Sequence, residues 1–163
     1  MTTGDLFNRL APFGFDSGAT FSPCHVYRYR LWRSWGSREH RCVWLMLNPS
    51  VADADDNDPT VRKCIGFAKR WSYSAIDVVN LFALVSTDPT GLLTDTDPVG
   101  PDNDATIEEA ISGAHRIVLA WGRHNAFRVF DHRVGTLGRN GDGSPRHPLM
   151  LAYDTPFERL GVP

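Results

Sequence analysis

The chain lacks the features that would place it in a specialised class. No apolar run approaches the roughly 20 residues that a membrane-spanning helix needs. The opening MTTGDLFNRLAPFG has neither a basic n-region nor an apolar h-region, so no secretion signal is expected. There are only three cysteines, Cys24, Cys42 and Cys64. Their odd number and the lack of any C-x-x-C spacing point to reduced thiols in a cytoplasmic setting, and the expected role is that of small buried residues. No Walker-type Gly-x-x-x-x-Gly-Lys loop, no G-x-G-x-x-G and no G-x-S-x-G occurs. Those absences argue against dinucleotide binding, P-loop chemistry and ordinary serine hydrolysis, and no cofactor is expected.

A chain of 163 residues, 42% hydrophobic and 22% charged, can bury a real core and fits one domain. The expectation is a single domain over 1–163, with an N-terminal segment at 1–23 and a core at 24–157. The net charge of −2 conceals a pattern. Residues 1–47 hold six basic against three acidic residues, 48–115 four against twelve, and 116–163 seven against four. The acidic middle argues against a uniformly cationic nucleic-acid surface, although the flanks could converge on one basic face.

Residues 4–23 show no clear period and read as loop or short helix. Residues 24–34 alternate roughly as a half-buried strand does, and 41–47 (RCVWLML) form a run apolar on both faces; the two are expected to pair as a hairpin. Proline cannot donate to a ladder, so Asn48-Pro49 takes the chain out of the sheet. Asp58-Pro59 has the form of a helix start, with Asp as N-cap and Pro at the first helical position, and Val61, Ile65 and Ala68 share one face of the helix that follows. A second buried strand is expected at 75–80, with 81–84 as its possible extension. A long loop covers 86–101, Pro101-Asp102-Asn103-Asp104 opens a helix that runs through about Ser112 and is ended by Gly113, and a third strand covers 116–121, broken by Gly122. A helix is expected over 124–134 and a last short strand at 147–151 (HPLML). Strands alternating with helices imply an α/β three-layer sandwich: a mainly parallel central sheet between helix layers, with an N-terminal antiparallel hairpin.

In such sheets ligands bind beyond the carboxyl ends of the strands. The residues leaving those ends are Asn48-Pro49-Ser50, Asn80-Leu81-Phe82 and Trp121-Gly122-Arg123, and His147-Pro148 approaches from the last loop. Side-chain amides carry paired donor and acceptor groups that match the edge of a nucleobase. Gly122 permits close backbone approach, and a histidine can donate to a developing oxyanion. Trp44, Phe82 and Trp121 are candidates to stack on a planar ring. The acidic run Asp53-Ala54-Asp55-Asp56-Asn57-Asp58 could ligate a hard divalent cation through its carboxylates. It lacks the central Gly and terminal Glu of an EF-hand, and helix capping accounts for Asp58, so no metal is expected.

Several pieces, in order, resemble motifs of the uracil-DNA glycosylase superfamily. MLNPS is similar to the G-I-N-P-G motif of its mismatch-type branch, VVNLFAL to the strand ending in its base-reading Asn, RIVLAWGRHNA to its V-x-L-x-W-G-x-x-A segment, and RHPL to the start of its H-P-S-P-L-S motif. Over about residues 25–157 the chain also resembles a bacterial conserved family of unknown function, with LNPS, DPT, VNLF, WG and HPL in this order. The first resemblance implies a glycosylase-like fold and the hydrolysis of an N-glycosidic bond in DNA. Asn48 would position the attacking water, Asn80 would read the base, and His147 would stabilise the leaving base. Pro49, Ser50, Phe82, Trp121 and Gly122 would surround it. His147-Pro148-Leu149 lacks the serines and second proline of the corresponding loop, and Ser50 stands where that superfamily has a glycine. Two alternatives stay open at this point: an enzyme acting on free nucleosides or nucleotides, and a non-catalytic module that binds nucleic acid or a partner.

Overall fold

The computed structural model describes residues 16–50, 54–124 and 134–161. The organising element is β3 (Arg41–Met46), in which every residue after Arg41 is buried. Such a strand is stable only with neighbours on both edges and cover on both faces. It lies between β4 (Ala75–Asn80) and β5 (Arg116–Leu119), parallel to both. Strands β1 (Asp16–Phe21) and β2 (Arg28–Ser34) extend the sheet antiparallel beyond β4. On the other side come β6 (Val134–Thr136), parallel to β5, and β7 (Glu158–Arg159), antiparallel to β6. The order is β1-β2-β4-β3-β5-β6-β7. The sheet is therefore mixed, with its parallel pairings at the centre.

Side chains alternate across β3, and the core divides accordingly. Cys42, Trp44 and Met46 pack with Val61, Cys64 and Phe67 of α1 (Pro59–Arg70). Val43 and Leu45 face the other way, onto Ile107 and Ala110 of α3 (Asn103–Ser112). A short helix α2 (Gly91–Thr94) interrupts the long loop before α3. Helix α1 begins as its sequence dictates: the Val61 N–H donates to Asp58 Oδ1 at 2.8 Å, Pro59 follows the cap, and Lys69 and Arg70 occupy the last turn. No described helix is long and apolar enough to cross a membrane.

Several expectations are corrected. The run 24–34 does not pair with 41–47. Strand β2 lies between β1 and β4, and the hairpin is β1–β2. The apolar β3 takes the centre and leaves the edge to β1, whose DSGATF carries too few apolar residues to announce a strand. The segment 147–151 is a turn with Met150 89% exposed, and the place beside β5 belongs to Val134–Thr136. Of the helix expected over 124–134, residues 125–133 lie outside the described ones, and Val134 opens β6. Strand β4 ends at Asn80, but ladder bonds continue, from Leu81 N–H to Met46 O and from Phe82 N–H to Leu47 O, both at 3.0 Å. Cys42 and Cys64 are buried, and burial drives the Cys42 thiol up to about 12; Cys24, in contrast, is exposed.

At the centre of β4 one carboxylate is wholly buried. Asp77 Oδ2 lies 2.6 Å from Arg30 Nη2 and 2.9 Å from Arg41 Nε, while Oδ1 lies 3.4 Å from Arg38 Nη2. This cluster ties β2, β4, β3 and the β2–β3 turn together, on the face that carries α3.

Candidate functional site

Strands β3, β4 and β5 run the same way, so their carboxyl ends share one margin of the sheet. A cavity of about 350 Å³ opens there. That is near the lower end of the roughly 300–1,000 Å³ typical of small-molecule sites. Asn48, Ser50, Asn80, Trp121 and His147 all line it.

The bonds of these residues divide them into side chains that are held and side chains with donors unpaired. Asn48 follows β3, where Pro49 forces the chain away. Its Nδ2 donates to Ser86 O at 2.8 Å and Pro49 O at 3.1 Å, and Ser86 N–H donates back to Pro49 O at 3.0 Å. Both amide hydrogens are thus spent on backbone, and Oδ1 is the acceptor left for a ligand. Asn80 closes β4 and is 1% exposed. Its backbone carbonyl accepts from Asn103 Nδ2 at 2.9 Å, but its own Nδ2 is buried without a hydrogen-bond partner. The indole Nε1 of Trp121 is in the same condition. A buried donor left unpaired costs about 1–3 kcal/mol, and here two such donors belong to residues lining one cavity.

His147 arrives by a different route. Gly122, at φ +77°, turns the chain after β5, and its N–H donates to Pro145 O at 3.0 Å. A Cβ at Gly122 would stand 3.4 Å from His147 Cβ, so the two segments are in close approach. Leu149 N–H donates to His147 Nδ1 at 3.2 Å. With Nδ1 accepting, the neutral ring carries its proton on Nε2 and is a donor. Burial holds the imidazole below its ordinary value of 6.5, against an opposing pull from Asp58. At neutral pH the ring is therefore uncharged.

Apart from Arg123, the other expected residues are not on the cavity wall. Pro49 is buried and serves as acceptor for the Asn48–Ser86 latch. Phe82 packs on the α3 side of the core with its ring against His124, centroids 5.7 Å apart. Gly122 supplies the turn beside His147. Trp44 is fully buried beneath α1, stacked on Trp71 with centroids 5.8 Å apart.

Of the acidic run, Asp53 lies outside the described residues. The segment after it is pinned by the buried Arg33, whose Nε donates to Asn57 Oδ1 at 2.7 Å and Nη2 to Asp56 O at 3.1 Å. No group of three or more metal-ligating side chains occurs among the described residues.

Arg123, expected at the end of its strand, is on the cavity wall, and three further residues were not expected at the site. Asp58 and Arg28 line the cavity. Asn103, at the start of α3, clamps the end of β4 through Asn80 O and Leu81 O. The run Pro101-Asp102-Asn103-Asp104 signals a helix start, but its pairing with β4 depends on how the crossover packs. Arg28 belongs to the half-buried alternation of 24–34; β2 is an interior strand, and Arg28 is buried.

No curated protein and no solved structure matches the chain. Residues 28–149 match the family described as "Protein of unknown function (DUF1643)". The match covers about three quarters of the chain and reaches from β2 to the turn after His147. It thus includes every described residue named above as lining the cavity, and the chain belongs to this family.

Proposed function

We propose that the protein is a base-recognising enzyme that hydrolyses the N-glycosidic bond of a uracil-like or damaged base in DNA. The observation that carries this reading is the shared cavity, in which two carboxamides and a neutral histidine line one space of about 350 Å³. The unpaired Nδ2 of Asn80 is offered to a carbonyl on the base edge. Asn48 Oδ1 holds the attacking water, its Nδ2 being fixed to backbone. His147 Nε2–H donates to the base oxygen on which negative charge develops as the bond to the sugar breaks. Trp121 supplies an aromatic wall. A base in a duplex has to be extruded to reach such a cavity. Helices on opposite faces of the sheet agree with a three-layer, uracil-DNA glycosylase-like architecture in this reading.

Wild-type protein is expected to release free base from at least one member of a panel of oligonucleotides carrying uracil or damaged bases, single- and double-stranded, as read by chromatography. A panel left whole at high protein concentration counts against the reading. Arg28 and Arg123 on the cavity wall favour a second possibility, a free nucleotide whose phosphate they would meet. Nucleosides and nucleotides in the same panel separate the two, since base released from them alone selects the second. Binding of any of these without turnover would instead mark a non-catalytic module.

A further inference from the structure

Hydrolysis of a glycosidic bond is accelerated by a group that takes a proton from the attacking water. Asn48 cannot be that group, because an amide is not a base at working pH. His147 is unsuited as well: its Nδ1 already accepts from Leu149 N–H, and its Nε2 carries the proton. Among the described residues lining the cavity there is a single carboxylate, Asp58.

We infer that Asp58, beyond capping α1, is the general base that activates the attacking water. This rests on the reading of the site as an N-glycosidic hydrolase. The geometry suits the role. Asp58 Oδ1 accepts from Val61 N–H at 2.8 Å, and Oδ2 accepts from the Ser50 hydroxyl at 3.2 Å. The two bonds fix the plane of the carboxylate, and each oxygen keeps a lone pair. Ser50 is two residues from Asn48, so the bond from Ser50 holds the base beside the turn that carries the water-positioning amide. The remaining charged and titratable groups of the described cavity are Arg28, Arg123 and His147. The Asp58 charge favours the protonated form of His147 against the effect of burial.

The step balances as follows. The water oxygen bonds to the anomeric carbon while the carbon–nitrogen bond breaks, and its electron pair remains on the base, where His147 Nε2–H and Asn80 stabilise the charge. Asp58 receives the proton of the water and afterwards returns it to the departing base through solvent. The carboxylate also faces the positive charge that builds on the sugar ring. A helix cap alone does not require a carboxylate, since Asn and Ser cap as well as Asp does.

That equivalence supplies the test. Asp58→Asn keeps the size of the side chain and its capping oxygen but removes the base. It is expected to melt with the wild type and to release base about 10²–10⁴-fold more slowly, in kcat with little change in KM. In the same variant the loss of the Asp58 charge moves the His147 titration, followed by NMR, to lower pH, whereas a merely structural cap would leave kcat unchanged. An Asp58→Asn protein that keeps the wild-type rate overturns the role of Asp58 and leaves the function standing. A wild-type protein that releases no base overturns the function and the role of Asp58 together.

Discussion

Asp77→Ala is expected to destabilise the fold by about 3–5 kcal/mol, the usual cost of removing one member of a buried ion cluster. The carboxylate is fully buried and is approached by Arg30, Arg41 and Arg38. Without it, the guanidinium groups of Arg30 and Arg41 are left together in the interior, with only the exposed Glu109 carboxylate 3.5 Å from Arg30. Arg38 is the most exposed of the three and can turn toward water, which moderates the loss. Arg30 and Arg41 are mostly buried on strands β2 and β3 and cannot. Asp77→Asn preserves the volume and should lose most of the same stability, which separates charge from packing. Urea denaturation measures both variants. A loss below about 1 kcal/mol for each would mean that the cluster is solvated like a surface pair.

His147→Ala is expected to slow base release by about 10²–10³-fold, the magnitude found when one preorganised donor to a developing oxyanion is removed. The effect should fall on kcat, because the donor matters most when charge has built up on the leaving base. The wild-type rate should be level through neutral pH and decline only below 6.5, since burial holds the imidazole below that value. Protonation would put a hydrogen on Nδ1, facing the Leu149 N–H, and break the bond that orients the ring. Stability follows the same sign. Above 6.5 the ring is neutral in both folded and unfolded chains and makes no difference. As pH falls through 6.5 the unfolded chain takes the proton first, so folding is progressively disfavoured until the folded ring also protonates. A rate that rises on acidification, or a His147 titration above 6.5, would contradict this assignment.

The central strands were legible because burial on both faces leaves a plain mark. RCVWLM and AIDVVN have too many apolar residues for an edge. Helix α1 was legible because Asp58-Pro59 can hardly be anything but a helix start. Pairing partners were not legible. A strand's neighbours depend on the handed crossovers of α1 and α3, which local sequence does not encode. Strand β6 escaped notice because it has only three residues, and they follow a segment with helical spacing of Ala126, Phe127 and Phe130. The site was partly legible. Topology brings the ends of parallel strands together, so Asn48, Asn80 and Trp121 had to be neighbours once their strands were recognised. Asp58 was read as a cap, and it is one; a complete local explanation concealed its second position on the cavity wall. Phe82 stands two residues past Asn80, but beyond the end of β4 the alternation of side chains lapses, and Leu81 and Phe82 both pack on the α3 side of the core.

The most direct test of a base-binding cavity needs no turnover. Uracil is titrated into 15N-labelled protein while the indole and side-chain amide N–H signals are followed. Trp121 Nε1 and Asn80 Nδ2 are buried, unpaired and on residues lining the cavity, so both signals should move in a saturable manner. The indole of Trp35, already bonded to Tyr73 O at 3.0 Å away from the cavity wall, should stay in place. If Trp121 and Asn80 stay still at millimolar base, or move only as much as Trp35 does, the cavity is not a base site and the proposed chemistry falls with it.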